Sequence, residues 1–247
     1  MPDLIVTNLT AGYERRPAIH HIDTMFKSGS LTAIIGPNGG GKSTLLKTLV
    51  GLIKPMSGSI RFEPPARRHI AYLPQLSEID RSFPIRVEDV VLMGHWRQAG
   101  FFKSITRDAR RQAMAALEQV GMEAFAHRPI AALSTGQFQR VLFARLMIED
   151  AACYLLDEPF SAIDNRTIHD LTHVIQSWST SGKTVLCVLH DMQQVREHFP
   201  NALLLARSMV AHGSTETVLT DINLRKASDI AGTWHDHAEE CHLPEAA

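Results

Sequence analysis

The sequence has few cysteines, almost no net charge and no long apolar run. Its three cysteines include no C-x-x-C pair, which points to free thiols in a reducing compartment and away from a disulfide scaffold. Lys and Arg number 25 against 26 Asp and Glu, so no broad basic surface for nucleic acid is expected. No apolar stretch approaches the roughly 20 residues that a membrane span requires. The segment Met1-Pro2-Asp3-Leu4-Ile5-Val6 begins a strand and lacks the charged and apolar regions of a signal peptide. Repeats and low-complexity segments are also missing. A protein that is soluble, or held at a membrane by a partner, is the expectation. At 247 residues the chain can bury a sizeable core, enough for one compact α/β domain with an inserted lobe.

What is present begins with Gly36-Pro37-Asn38-Gly39-Gly40-Gly41-Lys42-Ser43. It satisfies every fixed position of the phosphate-loop pattern G-x-x-x-x-G-K-[ST]. Leu31 to Ile35 before it reads as a short buried strand. Ser43, Thr44 and the residues to Val50 read as a helix start. Glycines let backbone N–H groups turn toward an anion, and a helix N-terminus adds unpaired donors and a positive dipole end. Lys42 is placed to reach the β- and γ-phosphates of a nucleotide, and the Ser43 hydroxyl to meet Mg²⁺.

A second site narrows the reading. Cys153-Tyr154-Leu155-Leu156-Asp157-Glu158 is an apolar run ending in two carboxylates. It reads as a buried parallel strand whose end emerges at the active edge of a sheet. Asp157 suits Mg²⁺. Glu158 is expected to point elsewhere, because successive strand side chains alternate faces, and to serve an attacking water. Alone, the run reads as a strand followed by an acidic loop; the phosphate loop shifts the reading to a metal and water site.

Residues 1 to about 72 alternate strands with one helix. From Gln75 the pattern turns helical: Val87 to Met93 is one short helix, and Arg107 to Val120 another. The second carries Ala109, Ala113, Ala116, Leu117 and Val120 on its apolar face. Arg107, Arg110 and Arg111 fall opposite, on a face that is solvated or turned to a membrane partner. After Glu149 alternation resumes, with strand 152–157, helix 164–180, strand 184–189, helix 191–198 and strand 202–206.

Leu133-Ser134-Thr135-Gly136-Gln137-Phe138-Gln139-Arg140 lies between the two sites. By itself it is an ordinary helix N-cap leading into a helix near Phe138. About twenty residues before the acidic strand, it resembles the Leu-Ser-Gly-Gly-Gln signature of ATP-binding-cassette (ABC) ATPases. Thr135 departs from that pattern at a position that is usually glycine. Other stations of the family follow in order along the chain. Tyr13 resembles the aromatic that stacks on adenine. Gln75 resembles the glutamine that touches Mg²⁺ and the attacking water. Ser161-Ala162-Ile163-Asp164 resembles the loop that crosses between subunits, and His190 the switch histidine at the γ-phosphate. Each has a plainer alternative: Tyr13 as a surface aromatic, Gln75 as a strand-end cap, Asp164 as a helix N-cap, a role compatible with the first, and His190 as a satisfied histidine. Order and spacing along the chain carry the assignment. A kinase or GTPase would leave Ser134, Gln75 and His190 unexplained together.

The resemblance implies an α/β P-loop NTPase core with a mainly parallel sheet, an N-terminal antiparallel β region and an inserted α-helical subdomain. It covers residues 1–247 as a single domain, with the subdomain at about 76–150 and a His-rich tail at about 233–247. It implies ATP and Mg²⁺ as cofactors, with Ser43, Gln75 and Asp157 as Mg²⁺ ligands and Glu158, His190 and Gln75 as catalytic groups. Nucleotide contacts fall on Tyr13, the loop from Gly36 to Thr44, Asp157, Ser134, Gly136, Gln137 and Asp164. One loop and one signature per chain cannot close a sandwich on one ATP, so a head-to-tail homodimer is implied.

Ser82 to Gly94, and Phe160 after Asp157-Glu158-Pro159, resemble the branch that imports manganese and zinc. His95 departs from it where many members have arginine. An integral membrane permease is then the direct partner, a metal-binding extracytoplasmic protein an indirect one, and the cytoplasmic face of the inner membrane the location. Phe83, Phe101 and Phe102 are either lobe core or the apolar seat of a permease helix. The alternatives are an importer of siderophores or other small solutes, and a soluble ABC ATPase of DNA repair or translation. The latter usually carries two cassettes or a long coiled coil, and this chain has neither.

The tail holds Trp234-His235-Asp236-His237-Ala238-Glu239-Glu240-Cys241-His242. His235, His237, Cys241 and His242 have the ligand chemistry for Zn²⁺, in no standard structural-zinc spacing. A weak metal site and a disordered tail that binds nothing are both open.

Overall fold

A computed structural model describes residues 3–64, 70–96, 105–149, 151–161 and 163–233. Two sheets organise it. Strands β1 (Asp3–Tyr13), β2 (Arg16–Phe26) and β4 (Ser57–Glu63) form an antiparallel sheet in the order β2-β1-β4. Strands β3 (Leu31–Ile35), β5 (Ile70–Leu73), β6 (Cys153–Asp157), β7 (Thr184–Val188), β8 (Asn201–Ala206) and β9 (Ser208–Ser214) form the second, in the order β5-β6-β7-β3-β8-β9. The second sheet is parallel except for β9, which returns antiparallel to β8.

Strands β3, β6 and β7 are buried at all five positions. That follows from covering both faces of a parallel sheet, which removes any need for polar alternation. The alternation survives in where each side chain goes. Tyr154 and Leu156 join the core on one face, whereas Cys153 and Leu155 join the core on the other. The second core contains Leu45, Leu46 and Leu49 of α1 (Lys42–Leu49) together with Leu4, Val6, Ile19 and Phe26 of the antiparallel sheet. Helix α1 is thus clamped between the two sheets, which fixes the loop at its N-terminus.

The first core runs into a helical layer between β5 and β6. It contains α2 (Val87–Leu92), α3 (Arg107–Gln119) and α4 (Thr135–Ile148). In α3, Ala113, Ala116 and Leu117 are buried, Val120 caps the helix, and Arg107, Arg110 and Arg111 are exposed. Helices α5 (Asn165–Thr180) and α6 (Met192–His198) link the later strands, and α7 (Thr215–Val218) and α8 (Asp221–Thr233) close the described chain. Strand β9 and the helices after it have no counterpart in the sequence reading. Ser208–Ser214 is half-buried and lacks apolar alternation, so only its pairing with β8 identifies it. Cys153 and Cys187 are buried free thiols, and burial pushes Cys153 up to about 12. Phe101, Phe102, Ala162, His235, His237, Cys241 and His242 lie outside the described residues.

Candidate active site

The phosphate loop leaves the C-terminal end of β3, the strand flanked by β7 and β8. Two of its glycines are dictated by sterics. Gly36 sits at φ 148°, where a Cβ would lie 1.9 Å from the Leu205 carbonyl oxygen. Gly41, the N-cap of α1, sits at φ 88°, where a Cβ would lie 2.3 Å from Ile19 Cγ2. Both are left-handed conformations that a side chain resists. The loop is also tied from outside. Arg207 N–H donates to the Gly40 carbonyl at 2.8 Å, and His20 N–H donates to the Arg207 carbonyl at 2.8 Å. Nothing in the sequence around Arg207 signals this, because its backbone makes the contact.

Lys42 is only 7% exposed. Its ammonium donates to the Gly36 and Pro37 carbonyls, both at 2.9 Å. Burial pulls its pKa below the usual lysine value, with Glu158 and Asp157 opposing the shift. Asn38 to Thr44 line an open cleft of about 840 Å³ together with Ala18, Gln75, Glu158 and His190.

Parallel register brings the carboxylates to that cleft. Leu73 of β5 pairs with Leu156, and Asp157 pairs with Val188 of β7. Gln75, Glu158 and His190 each follow the end of one of these adjacent strands, so the C-terminal edge of the sheet assembles them. Asp157 is fully buried, and neither of its oxygens has a hydrogen-bond partner of good geometry. Burial raises its carboxyl above the usual value, while the nearby Ser43 hydroxyl works against the shift.

Glu158 turns away for a reason other than strand alternation. Strand β6 ends at Asp157, and Glu158 adopts φ 50°. This left-handed kink aims its carboxylate into the cleft. One oxygen lies 2.7 Å from His190 Nε2; the other accepts from Gln75 Nε2 at 3.0 Å and from the Ser161 hydroxyl at 3.3 Å. A non-glycine residue in such a conformation costs roughly 1–3 kcal/mol and is typical of functional sites.

Ser134, Gly136, Gln137 and Asp164 stand elsewhere. They line a separate cleft with Thr135, Arg140, Gly121, Met122 and Phe125. Helix α4 starts at Thr135, three residues before the expected Phe138, because Ser134 closes a capping box. Gln137 N–H donates to the Ser134 hydroxyl at 3.2 Å, and Ser134 N–H donates to the Gln137 side-chain oxygen at 2.9 Å. These bonds use the Ser134 and Gln137 side chains within the helix start. Asp164 caps α5 by accepting from Thr167 N–H at 3.0 Å. Its carboxyl is held down to about 2, chiefly by Thr167 and then by Arg140. Arg140 donates to Asp164 at 3.0 Å and to the Thr167 hydroxyl. It is a link between two elements that sequence reasoning passed over. Tyr13 ends β1, 52% exposed, and does not line the phosphate-loop cleft.

Comparison with known proteins identifies the family. The family model described as "ABC transporter" matches residues 19–161. The zinc transport system ATP-binding protein TroB of Treponema pallidum is 41% identical over 226 residues, covering 90% of this chain and 85% of the relative. The manganese transport system ATP-binding protein MntB of Listeria monocytogenes is 39% identical over 226 residues, covering 90% and 94%. A solved ABC transporter of metal-chelate type, in an inward-facing conformation, superposes with a TM-score of 0.79 at 30% identity, over 92% of this chain and 89% of that one. The resemblance drawn from the motifs therefore holds along nearly the whole sequence, and the chain belongs to the ABC transporter family.

Proposed function

We propose that this chain is the ATP-hydrolysing subunit of an importer that takes up a transition-metal ion, zinc or manganese, through a partner permease. The observation that carries the hydrolytic part is the Glu158 carboxylate, held at once by His190 and Gln75 at the mouth of the phosphate-loop cleft. The metal cargo rests on the relatives, named for zinc and manganese transport, that match nine-tenths of the sequence.

In this reading the backbone N–H groups of Asn38 to Gly41 and the N-terminus of α1 hold the phosphates, with Ser43 and Thr44 beside them. Lys42 exchanges the Gly36 and Pro37 carbonyls for phosphate oxygens. Asp157, buried with two unpartnered oxygens, fits a cation next to Ser43. Ser43, Asp157 and Gln75 would hold Mg²⁺, which supplies charge neutralisation for the transferred phosphate. Glu158 orients the attacking water and accepts its proton, and His190 steadies Glu158 and faces the terminal phosphate. Tyr13 offers a ring to the adenine.

The signature residues lie in their own cleft, so one chain does not close its own site. A head-to-tail dimer would bring Ser134, Gly136, Gln137 and Asp164 of one copy over the loop of the other. The whole chain then acts as one domain with a helical insertion. Exposed Phe83 and Trp96, 62% and 64% accessible, form part of the seat for the permease at the cytoplasmic face of the inner membrane. Among the described residues no helix is long and apolar enough to cross a membrane; in this reading the spans belong to the permease. A metal-binding extracytoplasmic protein would load it.

A strain lacking the gene should lose accumulation of zinc or manganese and regain it when the gene is restored. Normal accumulation of both, with loss of a metal–siderophore complex instead, would overturn the ionic cargo and favour the chelate reading that the metal-chelate relative suggests.

Thr135 is predicted to be neutral. It occupies the first turn of α4 with its side chain exposed, where no left-handed backbone is required. Thr135→Gly should keep ATPase activity or raise it modestly. A severalfold loss in the purified transporter would give Thr135 a positive role.

A further inference from the structure

Helix α5 carries a pair of histidines that the nucleotide site does not use. His169 and His173 are four residues apart, which places both on one face a turn apart. Their Nε2 atoms are 3.2 Å apart, and the ring centroids 4.4 Å apart at an interplanar angle of 81°. Both residues are exposed. With zinc–imidazole bonds of roughly 2.0–2.1 Å, a tetrahedral ion separates two ligand nitrogens by about 3.3 Å. The spacing in the free helix already matches that edge. Asp170 Oδ1 stands 3.7 Å from His169 Nδ1. A carboxylate on that side favours the Nδ1–H tautomer, which leaves the Nε2 lone pair for an ion. His173 then donates from Nε2 to His169, and taking up an ion moves that proton, through water, to the exposed Nδ1 of His173, so that both Nε2 lone pairs face the metal.

We propose that His169 and His173 form a binding site for a late divalent transition-metal ion, with Zn²⁺ among those it takes, on the outer face of α5. Among the described residues no set of three or more His, Cys, Asp and Glu converges. The ion therefore takes two imidazoles from the protein and completes its shell with water. Such a donor set selects along the order of metal affinities for nitrogen. Zn²⁺, Ni²⁺ and Cu²⁺ bind, and Mn²⁺, which prefers oxygen, binds poorly. The inference stands on the geometry of the two rings and does not depend on which solute the transporter carries.

The test uses the full-length chain with His235, His237 and His242 changed to Ala and Cys241 to Ser, so that the tail contributes no ligands. Excess Mg²⁺ occupies oxygen-rich sites. Zn²⁺ is titrated in competition with a chromogenic chelator. One Zn²⁺ per chain is expected, and His169→Ala and His173→Ala should each weaken binding at least tenfold, because chelation needs both rings. His173→Cys should restore it through a thiolate. Zn²⁺ should also raise the thermal midpoint of the parent chain and not of the Ala variants, since a ligand of the native state stabilises it by mass action. Unchanged affinity in either Ala variant, or Mn²⁺ binding as tightly as Zn²⁺, would overturn the site.

Discussion

Replacing Glu158 by glutamine is expected to abolish steady ATP turnover while leaving ATP binding intact. The amide keeps the size and the partners of the carboxylate: His190 at 2.7 Å, and Gln75 and Ser161 at 3.0 and 3.3 Å. What it loses is the negative charge and the ability to accept a proton. Removing a positioned base typically costs about 10²–10⁴-fold in rate. In the proposed reading nucleotide binding rests on the loop and Lys42, so the variant should load ATP and then fail to clear it. ATP-bound dimers should accumulate and be visible by size-exclusion chromatography, with phosphate release near background. The φ of 50° at Glu158 is no harder for glutamine than for glutamate, so a folding defect is not the expected cause. Near-normal phosphate release from the purified transporter would remove Glu158 from its role.

Lys42→Ala should fail one step earlier, at nucleotide binding. Lys42 is almost wholly buried, and among the described residues its ammonium donates to two carbonyl oxygens. A buried cation whose pKa is drawn down by burial gains when an anion arrives. A hydrogen bond to a charged group contributes about 1.5–3 kcal/mol, so the variant should bind ATP roughly tenfold to a hundredfold more weakly. Titration with a fluorescent ATP analogue measures this directly. The two variants should separate binding from chemistry: one is expected to trap ATP, the other to take it up weakly. An unchanged dissociation constant in Lys42→Ala would mean that the loop backbone alone holds the phosphates.

The sequence alone determined the local parts. Gly36 and Gly41 stand where a Cβ would strike Leu205 and Ile19, and their spacing to Lys42 and Ser43 is a covalent fact visible without a fold. The apolar runs of β3, β6 and β7 are legible because strands covered on both faces need no polar position. The α/β class, the helices between β5 and β6, and the family itself follow from such segments in order. Boundaries were less exact where a side chain decided them: the capping box moved the start of α4 to Thr135, and the pairing with β8 alone created β9.

Only the tertiary structure decided how the parts meet. Gln75, Glu158 and His190 are distant in sequence, and parallel register across β5, β6 and β7 brings them to one edge. The direction of Glu158 comes from a left-handed kink, which no side-chain pattern encodes. The backbone tie from Arg207 to Gly40 and the Arg140 bridge to Asp164 are likewise invisible along the chain. The separation of the signature cleft from the phosphate-loop cleft is a matter of position in space. The physical reason is common to all of these. Strand and turn preferences act over a few neighbouring residues, whereas a site is closed by groups whose proximity is set by sheet pairing and by the packing of helices on its faces.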